Sequence, residues 1–526
     1  MVIKKVGDSE FYLSTNILQK MSVVIDGKSL TIDKVVEVAR NKADISVSSE
    51  SWGKINSCRE MLEKKINNHE IMYGITTGIG EFSEVTLNPD QTKEFQKLLI
   101  YSHAAGIGKP MDVEIVRGAM CGRINVHSKG HSGGRKEITE YLIESLNQDL
   151  TPVVCEKGSV GACGDLSPMS QIALSLMGEG EMIVNGQIVD SKEALEKIGM
   201  KPLELEARDG LALINGSNVL TALAAITLHD AKKWMKLHDI AAAMTLEALM
   251  ANMKPYDKRI HKLRGFSGSQ IIANNLNILT EKSEILFSGG KKVQDAYSMR
   301  STPQVAGTLR DSINYAVSQV EIELNGVGDN PIFLTEEKEV LTGANFQGSP
   351  IALPMEMIGT GLSMVAVLSE RRMNRLTNPA LSVGLPPFLA EKPGLHSGMM
   401  LSQYTADALI AETRILSHPA ANQSIPAAAD QEDFVSMGLT TSQKTRQILD
   451  NCYGVLAIEM MAAAQALDMR KKGMGKGTSI AHGIIRESID YLAEDRPLYR
   501  DHNKMVEILK SERIIDEIES GLEIEL

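Results

Sequence analysis

The chain has 526 residues, 43% of them hydrophobic and 4% aromatic, with 55 basic and 67 acidic side chains. This mildly acidic, evenly mixed charge excludes nucleic acid or an anionic membrane as the main partner. The abundance of Met and Gly favours a core of aliphatic helices over a β-sandwich. The five cysteines form no CxxC pair and the histidines show no HxxxH or HExxH spacing on a predicted helix, so we predict a reducing compartment and no metal site.

The N-terminal segment MVIKKVGDSEFYLS lacks the apolar region of a secretory signal. No run of 18 apolar residues occurs in the chain, so we expect a cytoplasmic protein that does not span a membrane. Residues 1–60 are predicted to form short strands and turns followed by a helix. VVIDG has hairpin character, and Ser29 precedes a helical pattern from Ile32 to Arg40.

Glycine-rich segments follow in chain order. IMYGITTGIGEFSE and SHAAGIGKP flank a predicted helix near residues 90–101, and such segments are typical both of loops that carry chemistry and of plain turns. GHSGGRKE and GSVGACGDLSP come next. EMIVNGQIV then predicts a hairpin with a two-residue turn at Asn185-Gly186.

From about residue 211 onward the chain consists mostly of long Ala-, Leu- and Met-rich patterns that predict helices. Several are apolar nearly all round, which places them inside a bundle or at a subunit interface. The fold class is therefore mainly α: a long-helix bundle with a loop-rich N-terminal region. We divide it into residues 1–210, with the glycine-rich loops, and residues 211–526, the bundle, which together form one continuous unit.

The segment GSVGACGDLSP does not match a phosphate-binding loop, because it has neither GxxxxGK[ST] nor GxGxxG in a dinucleotide-binding context. One interpretation is a tight turn with a buried cysteine. Another is chemical: in a tight bend the amide nitrogen of Gly164 can attack the carbonyl carbon of Ala162 and close an imidazolone ring. Loss of the Cys163 sulfur as hydrogen sulfide would leave a methylidene electrophile, and thiolate is a better leaving group than hydroxide.

This segment resembles the signature of the histidine and aromatic amino-acid ammonia-lyases and 2,3-aminomutases, which use 4-methylidene-imidazol-5-one. The family usually has Ala-Ser-Gly where this chain has Ala-Cys-Gly. Eight further blocks resemble the family in the same order, which makes the resemblance specific: YGITTGIG (73–80), SHAAGIG (102–108), ALINGSN (212–218), VQDAYSMRSTPQVAG (293–307), EIELNGVGDNPIF (321–333), GANFQGSPIALPME (343–356), GLPPFLAEKPGLHSGMM (384–400) and SIPAAADQEDFVSM (424–437).

The resemblance implies the ammonia-lyase/fumarase-like fold and a carbon–nitrogen lyase. The prosthetic group would be 4-methylidene-imidazol-5-one made from Ala162, Cys163 and Gly164, with no external cofactor. The substrate amine would add to this electrophile and so become a better leaving group. The resemblance also implies a homotetramer whose sites are each assembled from three chains.

Tyr73 is the residue that the resemblance assigns as the base for the β-proton. A phenolate near neutral pH requires the tyrosine pKa to fall by about three units, or roughly 4 kcal/mol. Nearby positive charge or strong hydrogen-bond donors would have to supply that energy. Out of its context, Tyr73 could instead be a core residue beside a glycine turn. The glycines at 74, 78 and 80 suit a lid that closes over substrate.

The remaining implied residues bind the substrate. Arg300 would hold its carboxylate through a bidentate fork, and Tyr297, one helical turn earlier, would touch the prosthetic group or the amine as a further catalytic residue. Gln294 and Asn215 would hold the adduct and its oxyanion, although each could be only a buried network residue. Phe346 would wall the ring.

Substrate choice depends on a few positions. His103, after a serine, resembles the histidine-specific lyases and tyrosine aminomutases. Glu432 resembles the histidine ammonia-lyases, where a carboxylate facing an imidazole N–H gives a charge-assisted bond of roughly 1.5–3 kcal/mol. Phe434 and Gln347 instead depart from the His and the NFHG of the histidine enzymes.

Three hypotheses follow. The leading one is histidine ammonia-lyase activity, giving urocanate and ammonia. The second is an aromatic ammonia-lyase or 2,3-aminomutase acting on tyrosine or phenylalanine. The third is a binding or scaffold protein of the same fold that no longer forms its electrophile, which is supported by the Cys for Ser exchange alone.

Overall fold

A computed structural model describes residues 22–288 and 292–526 of the chain; the N-terminal strands and turns predicted before residue 22 lie outside the described residues. The first described elements are β1 (Ser22–Ile25), α1 (Ile32–Ala39) and β2 (Asp44–Val47). β1 and β2 pair in parallel, so the hairpin predicted at VVIDG is wrong. The reason is that α1 is the connection between the two strands, and a helical crossover returns the chain in the parallel direction.

The rest of the N-terminal region surrounds its glycine-rich loops with short helices and small sheets. The hairpin predicted at EMIVNGQIV is confirmed. Its strands, β6 (Glu181–Val184) and β7 (Gln187–Asp190), are antiparallel, and Asn185 and Gly186 both have positive φ, as a tight hairpin turn requires. The elements of this N-terminal region are, in chain order, α2 (Ser49–Asn67), α3 (Pro89–His103), β3 (Ile107–Pro110), α4 (Val113–Ser128), α5 (Lys136–Asn147), β4 (Thr151–Pro152), β5 (Cys155–Lys157), α6 (Leu166–Leu176), β6 (Glu181–Val184), β7 (Gln187–Asp190), α7 (Ser191–Lys197) and α8 (Asp209–Ile214).

Long helices make up most of the remaining chain, as the Ala-, Leu- and Met-rich patterns predict, and the mainly α fold class is confirmed. They and the elements between them are α9 (Asn218–Ala248), α10 (Lys258–Arg264), α11 (Ser267–Leu279), α12 (Glu284–Phe287), α13 (Tyr297–Arg300), α14 (Thr302–Leu324), β8 (Ile332–Leu334), β9 (Glu339–Leu341), α15 (Ser349–Thr377), α16 (Met400–Leu416), α17 (Gly438–Arg470), α18 (Lys476–Arg486), α19 (Tyr499–Lys510) and α20 (Arg513–Leu522).

The centre of the bundle is formed by α9, α14, α15 and α17, which pack along one another. α9 is buried nearly all round, as an apolar helix inside a bundle should be. A fully buried ion pair joins α15 to α17: Arg372 donates two hydrogen bonds to Glu459, at 2.6 and 2.9 Å. Thr245 of α9 donates to the same carboxylate at 2.9 Å. Glu459 therefore links three helices. Removing Arg372 or Glu459 would leave a buried charge uncompensated.

α15 has the length and composition of a membrane-crossing helix, the only one to do so among the described residues. However, 67% of its most apolar window is buried inside the protein. Buried core helices of globular proteins have the same character.

At one end of the bundle, the glycine-rich turn at residues 161–164 meets the N-terminus of α9 and the loop before β8. Arg123, fully buried on α4, donates to the carbonyl oxygens of Asn215 and Gly328 and pairs with buried Asp329. Arg208 donates to the other carboxylate oxygen of Asp329 at 2.7 Å. Two buried guanidinium groups therefore share one buried carboxylate, and these bonds hold the loops that form the candidate site.

Candidate active site

The turn at Ala162-Cys163 is closed by an antiparallel bridge between Gly161 and Gly164. Both glycines have φ of 81° and Cys163 has φ of 52°, so three residues of this short segment lie in the left-handed region. A Cβ at residue 164 would overlap the backbone of Gly216. The turn is therefore tight and requires glycine at 164, which fits a segment whose residue-164 nitrogen must approach the carbonyl carbon of residue 162.

Asp165 holds this turn in place and was not singled out from the sequence. Its carboxylate accepts hydrogen bonds from Ser159 Oγ and from the backbone N–H of Leu220, both at 2.7 Å. Its own N–H donates to the carbonyl of Gly216 at 2.9 Å. Burial raises the pKa of Asp165 to about 6, because a charged carboxylate loses hydration there.

Cys163 faces Glu432 across the site. The thiol donates a hydrogen bond from Sγ to Oε1 of Glu432 at 3.0 Å. Burial, together with the adjacent carboxylate, raises the pKa of the Cys163 thiol well above its usual range. The cysteine is therefore a neutral thiol at physiological pH, and Glu432 is its hydrogen-bond acceptor.

Tyr73 lies on the glycine-rich loop above Cys163. Its hydroxyl accepts a hydrogen bond from the backbone N–H of Gly80 at 3.0 Å. Burial nevertheless raises the pKa of Tyr73, outweighing the opposite effect of that bond. The lowering that a neutral-pH phenolate requires is thus not supplied by the surroundings within one chain.

His103 and Asn215 approach the same space from α3 and from the C-terminus of α8. Nδ1 of His103 lies 2.9 Å from the carbonyl oxygen of Leu99, which can only accept, so Nδ1 carries the proton and Nε2 is an acceptor in the neutral ring. Burial lowers the pKa of His103. Within the part of the chain that the structure describes, the side-chain oxygen of Asn215 is buried without a hydrogen-bond partner, so it can accept a hydrogen bond from a bound ligand.

Two cavities of about 460 and 520 Å³ adjoin at Cys163. Tyr73, Gly80, Cys163 and Glu432 line both of them. Phe346 lines the first, while His103 and Asn215 line the second. The structure thus brings together six of the predicted side chains around the turn: Tyr73, His103, Cys163, Asn215, Phe346 and Glu432.

The second cavity also has an apolar wall that sequence reasoning missed. Ile79, Leu166 and Leu211 line it beside His103 and Asn215. Ile79 and Leu166 lie inside recognised motifs and Leu211 directly precedes one, but a single apolar residue carries no signal of its own in a mostly helical sequence. The wall makes the cavity suitable for a flat ring.

Gln294, Tyr297 and Arg300 lie elsewhere in the chain, around a third cavity of about 540 Å³ that does not include Cys163. The Arg300 guanidinium stacks over the Tyr297 ring at 4.6 Å from its centroid, on the predicted shared turn. Tyr297 is 71% exposed, and Nε of Arg300 is buried without a hydrogen-bond partner in the described chain. Within one chain, this group of residues faces outward and is not joined to the group around Cys163.

Two residues that depart from the histidine-specific pattern do not line the cavities around Cys163. The side-chain oxygen of Gln347 accepts from the N–H and hydroxyl of Ser349, at 3.3 and 3.2 Å, and so caps the start of α15. Phe434 is 63% exposed. Across residues 22–288 and 292–526, no three His, Cys, Asp or Glu side chains are grouped as a metal site requires.

Comparison with known proteins identifies the family of the chain. Residues 30–487 match the family model described as aromatic amino acid lyase. The chain is 43% identical over 505 residues to a histidine ammonia-lyase of Alkaliphilus oremlandii, covering 96% of this chain and 99% of that protein.

Two solved structures of related enzymes have the same fold. Histidine ammonia-lyase from Trypanosoma cruzi superposes with a TM-score of 0.89 at 34% identity, covering 95% of this chain and 96% of that one. Tyrosine aminomutase from Streptomyces globisporus superposes with a TM-score of 0.92 at 35% identity, covering 96% and 100%.

Proposed function

Because this chain belongs to the aromatic amino acid lyase family, we propose that it is a carbon–nitrogen lyase that converts L-histidine to urocanate and ammonia. The observation that carries the proposal is the pairing of Glu432 with the Cys163 turn inside a partly apolar cavity. The relatives named histidine ammonia-lyase, which match nearly the full length, support the same substrate.

The electrophile that we propose is 4-methylidene-imidazol-5-one, made from Ala162, Cys163 and Gly164. The bridge from Gly161 to Gly164 and the absence of room for a side chain at 164 support this assignment. Once formed, the group supplies an electrophilic carbon for the substrate amine. The chain's own residues must then orient the amino acid, remove a β-proton and exclude water.

Tyr73 is the proposed base for the β-proton. It lies on the loop above Cys163 and lines both cavities, within reach of any substrate bound there. Since burial raises its pKa, a positive charge must accompany the substrate. We propose that this positive charge comes from the substrate ammonium and from Arg300 of a second copy of the chain.

Histidine is favoured by the two polar ends of the second cavity. The Glu432 carboxylate would accept an imidazole N–H, and the unpartnered oxygen of Asn215 would accept from the amine. A phenyl ring would leave the Glu432 carboxylate facing an apolar edge without a hydrogen-bond donor, which disfavours phenylalanine. His103, with Nε2 as an acceptor, adds a further partner for a donor on the substrate.

We propose a homotetramer in which Gln294, Tyr297 and Arg300 complete the site of a neighbouring copy. Their outward exposure and the unpaired Arg300 Nε support this arrangement. In addition, large apolar side chains are exposed along α14, α15 and α16, as an interface between copies would require: Tyr315, Ile322, Leu353, Met364, Leu401, Tyr404 and Ile415. Arg300 would then bind the substrate carboxylate, with Tyr297 near the amine.

The same proposal includes a cytoplasmic enzyme whose partner is a small amino acid rather than nucleic acid or membrane. The acidic balance of 55 basic to 67 acidic residues supports this. Residues 1–210 and 211–526 would act as one lyase unit, because Asp165 of the first region bonds to Gly216 and Leu220 of the second.

The second candidate is an aromatic ammonia-lyase or 2,3-aminomutase. Gln347 and Phe434 favour it at the sequence level, and a tyrosine aminomutase is among the similar structures. A panel of L-histidine, L-tyrosine and L-phenylalanine separates the candidates by the absorbance of each unsaturated acid and by chromatography for β-amino acids. We expect urocanate to be the main product; turnover of tyrosine without urocanate would establish the second candidate instead.

A further inference from the structure

The contact between Cys163 and Glu432 precedes any reaction with substrate. Sγ of Cys163 lies 3.0 Å from Oε1 of Glu432. Among the described residues, Glu432 has no ion pair and its side chain has no hydrogen bond besides this one. The carboxylate that the proposed function assigns to substrate is therefore occupied by the thiol in the unconverted chain.

The loop that carries Glu432 fixes it in this position. Ala427 and Glu432 exchange two backbone hydrogen bonds, at 2.9 and 3.2 Å, and the residues between them include three with positive φ: Ala428, Ala429 and Asp430. Five residues later, the N–H of Met437 donates to the carbonyl of Val160 at 2.9 Å. This bond ties the loop to the segment that carries Cys163, so the thiol and carboxylate are held opposite each other by backbone.

We propose that Glu432 is the catalytic residue for the departure of sulfur from Cys163. The inference rests on the proposed function, since it concerns how the electrophile forms. Ring closure joins the Gly164 nitrogen to the Ala162 carbonyl carbon. It releases one water, made from the carbonyl oxygen and the amide hydrogens of Gly164 and Cys163.

Elimination then breaks two bonds of Cys163. The Cα–H proton goes to the Glu432 carboxylate, and the electron pair of that bond forms the Cα–Cβ double bond. The Cβ–Sγ electron pair leaves with sulfur as hydrosulfide. Glu432 returns the proton to it, so that neutral hydrogen sulfide departs and the carboxylate is regenerated. No oxidant or reductant is required, and a carboxylate at hydrogen-bond distance from Sγ can return the proton to the departing sulfur.

Neutrality of the thiol agrees with this order of events. Burial and the Glu432 charge raise the pKa of Cys163, so sulfur keeps its hydrogen until the carbon–sulfur bond breaks. Release of hydrogen sulfide also frees the carboxylate. The step that makes the electrophile would therefore be the same step that opens the histidine-binding position.

The test measures conversion of Ala162, Cys163 and Gly164 into the electrophile, and it does not depend on turnover of a substrate. The full chain and its variants are synthesised in a cell-free system, and intact mass is recorded over time together with trapped sulfide. Conversion lowers the mass by one water and one hydrogen sulfide, and it lowers the thiol count in denaturant from the five cysteines of the chain to four. Neither readout requires turnover of an amino acid.

Two matched pairs isolate the carboxylate: Glu432 against Glu432→Gln, and Glu432→Asp against Glu432→Asn. Glu84→Gln is the control, because Glu84 lines the same cavity without a hydrogen bond to Cys163. Circular dichroism confirms that each variant is folded. We expect conversion to slow by roughly 10²-fold in Glu432→Gln, Glu432→Asp to convert faster than Glu432→Asn, and Glu84→Gln to match the unchanged chain.

Two results would overturn the inference, and they differ in what they say of the proposed function. If the unchanged chain converts and Glu432→Gln or Glu432→Asn converts as fast as its carboxylate partner, Glu432 has no part in the step and the proposed function stands. If the unchanged chain keeps its full mass and five thiols, the electrophile itself does not form.

Discussion

The backbone N–H of Gly80 donates to the hydroxyl of Tyr73 at 3.0 Å, which fixes the tyrosine above Cys163 by a bond within its own loop. This bond stabilises a phenolate, whereas burial opposes it and raises the pKa of Tyr73. If Tyr73 is the base, Tyr73→Phe should lower kcat by about 10²–10⁴-fold, while the turn at Cys163 still loses water and hydrogen sulfide. Steady-state assays with mass spectrometry check both, and an undiminished kcat would exclude Tyr73 as the base.

The raised pKa of Tyr73 also predicts the pH dependence. The base is active when deprotonated, so below its pKa the phenolate fraction rises as pH rises. We expect kcat/KM to increase from neutral into alkaline pH as the Tyr73 phenolate forms. A profile that is flat over this range, or that falls, would contradict the assignment.

Folding stability should depend on His127 at acid pH. In the neutral ring of this buried imidazole, Nε2 donates to the carbonyl of Ala212 and Nδ1 accepts from the hydroxyl of Thr139, both at 2.9 Å. Burial lowers the pKa of His127 from 6.5 to about 3. Between pH 6.5 and about 3, His127 is therefore protonated in the unfolded chain and neutral in the folded chain. The free energy of unfolding falls as pH drops through this range. Denaturant unfolding across this range checks the slope, and His127→Gln should make it shallower; an unchanged slope would remove His127 as the cause.

Replacing Gly164 should damage both the fold and the chemistry. An alanine there must adopt φ of 81° and overlap the backbone of Gly216, so Gly164→Ala should destabilise the protein by about 1–3 kcal/mol and prevent loss of the Cys163 thiol. Gly483→Ala is the control, because that helical position has open space around it. Thermal unfolding and thiol titration compare the two variants. Equal stability and normal conversion in Gly164→Ala would refute the tight-turn account.

The shared site predicts complementation. Tyr73→Phe and Arg300→Ala should each be nearly inactive as pure proteins, because one lacks the base and the other the carboxylate ligand. Co-expressed, they should recover activity, since some sites would combine an intact Tyr73 with an intact Arg300 from another copy. Mixtures assembled only after purification serve as the control. Failure to recover activity in confirmed hetero-oligomers would contradict a site built from several chains.

The sequence could predict the helices, the hairpin at Asn185-Gly186 and the side chains around Cys163, because each leaves a local pattern or an ordered motif. The parallel pairing of β1 with β2 could not be predicted with the same certainty, since pairing direction depends on where α1 packs. The helix cap made by Gln347 was equally hidden, because a motif position does not reveal which neighbour an amide contacts.

Within one chain, the turn at Cys163 is separate from the group formed by Gln294, Tyr297 and Arg300. All these residues belong to family-like motifs, and the resemblance implies that they share a site assembled from several chains. In the folded chain Gln294, Tyr297 and Arg300 line a cavity separate from the two that adjoin at Cys163. The contact of Glu432 with Cys163 also had no signal in the sequence, since 269 residues separate them.

The most direct test of the central claim is the absorbance of urocanate when purified protein is incubated with L-histidine, with Cys163→Ala in parallel. Our account predicts urocanate and an equal amount of ammonia from the unchanged protein and none from Cys163→Ala. Urocanate formation by both proteins, or by neither, would contradict it.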